Sequence, residues 1–225
     1  MRPDLTERLL RLAPAERALL QDLYQARFAT RAQAEELAKI GGGSLGQLVQ
    51  AALVRVVALE GDSIVYLAQT GQRAALALLG PEVASGARAY AALRLSHELR
   101  RAELYVALRR SGMPPADYAA EPRLGYRSAA GLGERTLVPD ALVHTPHGDA
   151  LIEVDRGTEG TSQLRHKWLR YREWQEGAAG RRLYVLADVP GRLAATLADA
   201  GLAAQVLADA QALAGAIWPP GTPRA

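Results

Sequence analysis

Asp140, Glu153 and Asp155 are the residues best placed to do chemistry together, because turn residues and hydropathy put them on two neighbouring strands. Val138-Pro139-Asp140 followed by Ala-Leu-Val reads as a strand opening behind a proline, and Pro146-His147-Gly148-Asp149 supplies the turn that returns the chain along residues 150–154. Side chains alternate along a strand, so Leu151, Glu153 and Asp155 share one face while Ile152 and Val154 take the other. If the two strands pair as a hairpin, Asp140 comes near Glu153. Carboxylates gathered on a sheet repel one another, and a fold tolerates them chiefly where they hold a hard cation or do acid/base work. The plainer alternative is a solvated sheet face.

The elements around this hairpin follow from periodicity and punctuation. Residues 162–175 read as a helix capped by Thr161, and Arg165, Lys167, Arg170 and Arg172 make it basic. Cations beside a carboxylate cluster are what a nucleic-acid site requires, since the cluster alone repels phosphates; the same arginines can instead pair with Glu159, Glu173 and Glu176. Residues 182–187 form a short apolar run suited to a buried strand, and an alanine-rich helix follows Pro190 and ends near Gly201. Upstream, residues 89–111 read as a long helix with Leu93, Leu95, Leu99, Leu104, Val106 and Leu108 inward and Arg94, Arg100, Arg101, Arg109 and Arg110 outward. Glu98 and Glu103 on it read as ion-pair partners for those arginines. Residues 123–136 read as an exposed loop that brings Arg123, Arg127 and Arg135 towards phosphates. The whole predicts a mixed sheet flanked by helices.

The first 82 residues spell a different pattern. Leu19, Leu20, Leu23 and Tyr24 recur at helical spacing, Thr30 caps a second helix over 31–40, Gly41-Gly42-Gly43 breaks it, and Ser44 begins a third over 44–54. Strands over 54–59 and 63–67 are joined by Glu60-Gly61-Asp62. Three helices and a hairpin predict a winged helix-turn-helix, and Tyr66-Leu67 through Thr70-Gly71 and Arg73 resembles the ending shared by many winged-helix regulators. In such folds the third helix enters the major groove and the hairpin touches the flanking backbone. By that analogy Ser44, Gln47, Gln50, Arg55 and Arg73 are DNA contacts; the bland reading is a protein-binding or dimerisation module.

Composition bounds the rest. A chain of 225 residues with 49% hydrophobic content is long enough for two small domains with filled cores. Boundaries are expected to give a winged helix over 1–82, a second domain over 83–218, and a flexible tail over 219–225. Formal net charge is +3, and because residues 1–82 balance acids and bases the excess falls in the second part. Nucleic-acid binding must then rest on local patches. Cysteine is absent, which excludes disulfides and thiolate zinc sites and fits a reducing cytoplasm. Asparagine is absent too, and two lysines stand against 25 arginines, as expected of a GC-rich genome. No apolar run approaches a membrane span, and a cytoplasmic location is expected.

The stretch Pro139-Asp140, Glu153 and Lys167 resembles the core of the PD-(D/E)xK nuclease superfamily, with Asp155 standing where its lysine is usual. A closer likeness, carried by Pro139-Asp140, Glu153-Val154-Asp155-Arg156-Gly157-Thr158-Glu159, Lys167 and Tyr171, is to the replication-relaxation family of plasmid-associated proteins. The resemblance implies an α/β (α+β overall) chain in which a winged helix precedes a PD-(D/E)xK-like mixed sheet. It implies a DNA-binding protein of plasmid or mobile-element replication or maintenance. Asp140, Glu153 and Asp155 would hold Mg²⁺ or Mn²⁺ if the centre is active, with Lys167 as a catalytic partner and Arg156, Arg165 and Arg170 against DNA. Expected partners are DNA, a second copy, and replication or mobilisation proteins. Alternatives are a metal-dependent endonuclease, a nuclease fold kept as a non-catalytic scaffold without cofactor, and a winged-helix regulator with a ligand- or protein-sensing second domain.

Overall fold

Pro14 presets the backbone for a helix start, and the apolar spacing that follows folds as predicted. In the computed structural model Pro14–Ala26 is helix α1, with Leu19, Leu20 and Leu23 buried. The structure describes residue 9 and residues 11–59, 62–79, 95–127, 133–177, 180–219 and 221–222. Helices and mixed sheets make an α/β chain, and it divides into two compact units, Met1–Ala116 and Asp117–Ala225.

In the first unit α1 is followed by strand β1 (Phe28–Thr30), helices α2 (Arg31–Gly41) and α3 (Leu45–Gln50), hairpin strands β2 (Val54–Leu59) and β3 (Asp62–Leu67), and helix α4 (Gln69–Leu79). Thr30 and Gln33 cap α2 reciprocally, and Gly42 closes it in the left-handed conformation at φ 70°. The sheet is antiparallel in the order β1-β3-β2. Strand β1 went unread in the sequence because a three-residue strand has no measurable period. Helix α3 is shorter than expected: Ala52 turns to φ 54°, so the chain leaves the helix before Val54. Gly71 has a steric reason, since a Cβ there would lie 2.0 Å from the Leu53 carbonyl oxygen. The Glu60-Gly61 turn, the helix start over 89–94 and the boundary at residue 82 lie outside the described residues.

Helix α5 (Leu95–Arg110) was read from sequence as the head of the second domain, but it packs on α1, α2 and β1. What fixes it is charge. Asp22, 0% exposed on α1, accepts hydrogen bonds from the Tyr105 hydroxyl and from Arg109 Nε, each at 2.6 Å. Burial pushes the Asp22 carboxyl above its ordinary range, and Arg109 and Tyr105 pull against that rise. Arg101, expected to face outward, is buried and ion-paired with buried Glu98 one turn away.

The second unit is built on a five-stranded sheet in the order β10-β9-β8-β7-β4, formed by β4 (Tyr118–Ala120), β7 (Ala141–Thr145), β8 (Gly148–Asp155), β9 (Arg182–Ala187) and β10 (Ala204–Leu207). Pairing is antiparallel from β4 through β7 to β8, then parallel through β9 to β10. Strands β5 (Leu124–Arg127) and β6 (Glu134–Leu137) pair separately, so the described ends of the stretch expected as an open loop form a two-stranded pairing, while residues 128–132 lie outside the described residues. Helices α6 (Thr161–Glu176) and α7 (Pro190–Asp199) share one core with Leu142, Leu151, Leu183 and Val185, with Trp168 and Tyr171 at its centre. The Trp168 indole N–H reaches the Thr196 hydroxyl at 3.1 Å. The cap of α6 is Gly160, whose N–H donates to Gln163 Oε1 at 3.1 Å; Thr161 is its first residue rather than its cap. Helix α8 (Ala210–Ile217) packs on β9 and β10. Among the described residues no helix is long and apolar enough to cross a membrane.

Candidate functional site

The β7–β8 hairpin turns at Gly148, whose φ of 112° and 2.5 Å Cβ approach to the Gly180 carbonyl exclude any larger residue without a backbone shift. That turn sets the register. Ala141 pairs with Ile152, which brings Asp140 level with Glu153. Asp140 Oδ2 accepts the Val154 N–H at 2.7 Å, and its carbonyl accepts the Glu121 N–H at 3.0 Å. β8 is an inner strand, paired along one edge with β7 and along the other with β9. Glu153 is 2% exposed and Asp155 5%, so this is not a solvated sheet face.

Lys167 and Tyr171 lie one turn apart on α6 and reach the same carboxylate. Lys167 Nζ stands 2.6 Å from Glu153 Oε2, and the Tyr171 hydroxyl donates to Glu153 Oε1. The ammonium also lies 3.2 Å from Glu159 Oε1. Glu159 is held in place by its loop, since Arg192 donates to the carbonyls of Gly157 and Glu159. Burial pushes the Glu153 carboxyl well up and the neighbouring Asp140 charge adds to this, while Lys167 pulls it down. Burial likewise opposes the charge on Lys167, yet Glu153, then Asp140 and Glu159, raise it above the ordinary lysine range. The two directions agree physically. Formally one ammonium faces two adjacent carboxylates, and the rise on Glu153 comes first from burial and then from Asp140.

A hard divalent cation fits that deficit. Mg²⁺ is commonly held by one or two carboxylates, with water and phosphate oxygens completing its shell, and Asp140 with Glu153 supplies such a pair from adjacent strands. Asp155 does not join them. Its Oδ1 accepts the Gly157 N–H at 3.2 Å, and its buried Oδ2 has no hydrogen-bond partner among the described residues. No three Asp, Glu, His or Cys side chains form a metal-sized group among the described residues. The expected three-carboxylate convergence is therefore a pair plus a neighbour.

A cleft of about 700 Å³ opens beside the pair, lined by Glu153, Lys167 and Tyr171 and by Gln163, His166 and Arg170 of α6. Of the basic residues expected against DNA, Arg170 lines this cleft and donates to the Thr136 carbonyl. Arg165 instead pairs with Asp199 and Arg156 with Asp188, each at 2.7 Å. The sequence gives no role to Gln163 or His166, although the i, i+3, i+7 spacing of Gln163, His166 and Arg170 was an available signal; Glu159, expected as an ion-pair partner of the helix, pairs with Lys167. In the first unit Gln47, Gln50, Arg55 and Arg73 are exposed, whereas the Ser44 hydroxyl is engaged as the cap of α3, accepting the Gln47 N–H at 3.4 Å.

Compared with known proteins, residues 20–185 match the family model described as replication-relaxation. The match starts within α1 and ends within β9, so it takes in Asp140, Glu153, Glu159, Lys167 and Tyr171. Neither a curated protein nor a solved structure matches the chain.

Proposed function

The chain belongs to the replication-relaxation family, and from that premise we propose that it is a DNA-binding protein of plasmid or mobile-element replication whose nuclease-like second unit grips DNA without cutting it. The first unit is read as a winged helix, supported by its helix-strand-helix-helix-hairpin order and by exposed Gln47, Gln50 and Arg55 on α3 and β2. The second is read as a PD-(D/E)xK-like fold, supported by the mixed sheet and by Asp140 and Glu153 on adjacent strands. The observation that carries the non-cutting reading is Lys167, held between Glu153 and Glu159 at 2.6 and 3.2 Å. An ammonium already shared by two carboxylates is poorly available to steady charge on a phosphate.

The endonuclease reading is favoured by a different observation, the Glu153 carboxyl beside Asp140 in an open cleft. There Asp140 and Glu153 would hold Mg²⁺ or Mn²⁺, which on binding would polarise a phosphodiester and activate water. Arg170 and His166 would orient the strand, and Tyr171 would keep Glu153 in position.

Incubating the full chain with supercoiled, linear and branched DNA, with and without Mn²⁺, separates these readings. Retention of DNA with no nicked product supports the proposal. Nicking by the wild type but not by Asp140→Ala establishes the endonuclease. Failure to retain any of the DNAs removes the DNA-binding reading itself.

A further inference from the structure

The Asp140–Glu153 pair is not open to a second cation as it stands. One oxygen of Glu153 takes the Tyr171 hydroxyl and the other faces Lys167 Nζ at 2.6 Å, while Asp140 Oδ2 is occupied by the Val154 N–H. A metal shared by the two carboxylates competes with Lys167 for the Glu153 carboxylate. Resting on the reading of this pair as divalent-cation ligands, we propose that the Lys167 ammonium is the pair's resident cation and that Glu159 is a positioning residue which receives it when Mg²⁺ or Mn²⁺ enters.

Three observations carry this. First, Lys167 already touches its second acceptor, Glu159 Oε1 at 3.2 Å, so leaving Glu153 needs only movement at the end of the side chain. An ammonium has three donors and can pass from one carboxylate to another without a moment of complete desolvated isolation. Second, the two acceptors differ in setting: the Glu153 side chain is 3% exposed and that of Glu159 40%. The cation moves outward towards the cleft as the metal takes the inner position. Third, Glu159 sits on a braced loop. Arg192 holds the carbonyls of Gly157 and Glu159, and Gly160 is tied to Gln163 at 3.1 Å, so the receiving carboxylate is fixed before it is needed.

The same exchange links the two readings of the second unit. With Lys167 on Glu153 the centre is an ion-paired scaffold. With Lys167 on Glu159 the Glu153 oxygen that it covered is released beside Asp140.

The test is Mn²⁺ uptake by the full chain without DNA, followed by calorimetry and by the electron paramagnetic resonance of free Mn²⁺. Lys167→Met should bind Mn²⁺ about tenfold more tightly than wild type, and Glu159→Gln about tenfold more weakly, the scale of changes to groups that orient metal ligands. In the Lys167→Met background, Glu159→Gln should change nothing, because its effect runs through the lysine. A merely structural Glu159 would weaken binding equally in both backgrounds, which overturns its assigned role. A folded Lys167→Met chain that binds Mn²⁺ no better than wild type overturns the resident-cation assignment and leaves the DNA-binding reading standing. If neither wild type nor Lys167→Met takes up Mn²⁺, the exchange and the cation reading of Asp140 and Glu153 fall together. Should Lys167→Met not fold, unchanged uptake by Glu159→Gln is the overturning result and weakened uptake the supporting one.

Discussion

Each unit buries one carboxylate between a tyrosine hydroxyl and a basic side chain set one helical turn apart: Asp22 with Tyr105 and Arg109, and Glu153 with Tyr171 and Lys167. The surroundings then diverge. Asp22 is fully buried, and Arg109 divides its donors between that carboxylate and the Met113 carbonyl, which closes the network on itself. Glu153 stands beside a second carboxylate, its ammonium has a second acceptor, and a cleft opens alongside. A buried acid with a tyrosine and a cation is thus no mark of function on its own. Surplus negative charge and access from solvent are what distinguish the second site, while the first ties α5 to α1.

The sharpest way to break that contrast is Asp22→Ala, which strands Arg109 and Tyr105 and should destabilise the first unit by about 3–5 kcal/mol. Urea unfolding of the full chain measures it, with Mn²⁺ uptake unaffected; a loss below about 1 kcal/mol would mean Asp22 is not structural. Next come the tyrosines. Tyr171→Phe should cost about 1.5–3 kcal/mol and Tyr105→Phe about 1 kcal/mol, because Asp22 Oδ1 keeps Arg109 Nε whereas Glu153 Oε1 loses its hydroxyl donor. Equal losses in thermal melts would erase the difference in how the two acids are satisfied.

Acidity should separate the units as well. Asp22 has a native value above 3.8, so the folded chain binds that proton more tightly than the unfolded chain does. Its contribution is full below 3.8 and is lost as pH rises through the native value, and Asp22→Asn should remove that slope. Lys167 is also raised, but from 10.5, so its contribution persists through neutrality and fades only on the alkaline side above that value. Melts across both ranges, wild type against Asp22→Asn and Lys167→Met, read the two windows. The smallest effect belongs to the exposed pair Arg31–Glu35, where Glu35→Ala should cost about 0.3–0.5 kcal/mol.

How far the sequence revealed all this depended on the kind of signal. Asp140 and Glu153 came together as expected, because a glycine-bearing turn and strict alternation leave few registers for a hairpin. Strand β9 and helix α6 were legible for similar reasons, one a bounded apolar run and the other a long periodic segment. Arg101 and Arg109 were misread as outward because helical spacing says which residues share a face, not whether a buried acid waits opposite them. The exchange acceptor Glu159 was invisible as such, since its position depends on Arg192 of α7, far along the chain. Arg156 and Arg165, expected as phosphate contacts, pair with Asp188 and Asp199 respectively, whose proximity only the tertiary fold creates.

Lys167 and Tyr171 occupy successive turns of α6 and grip opposite oxygens of one carboxylate, while Trp168 between them is anchored to α7 through Thr196. Both contacts therefore ride on a single rigid lever. The seating of α6 on α7 and the satisfaction of the Glu153 carboxylate thus depend on one short stretch of helix, residues 167–171.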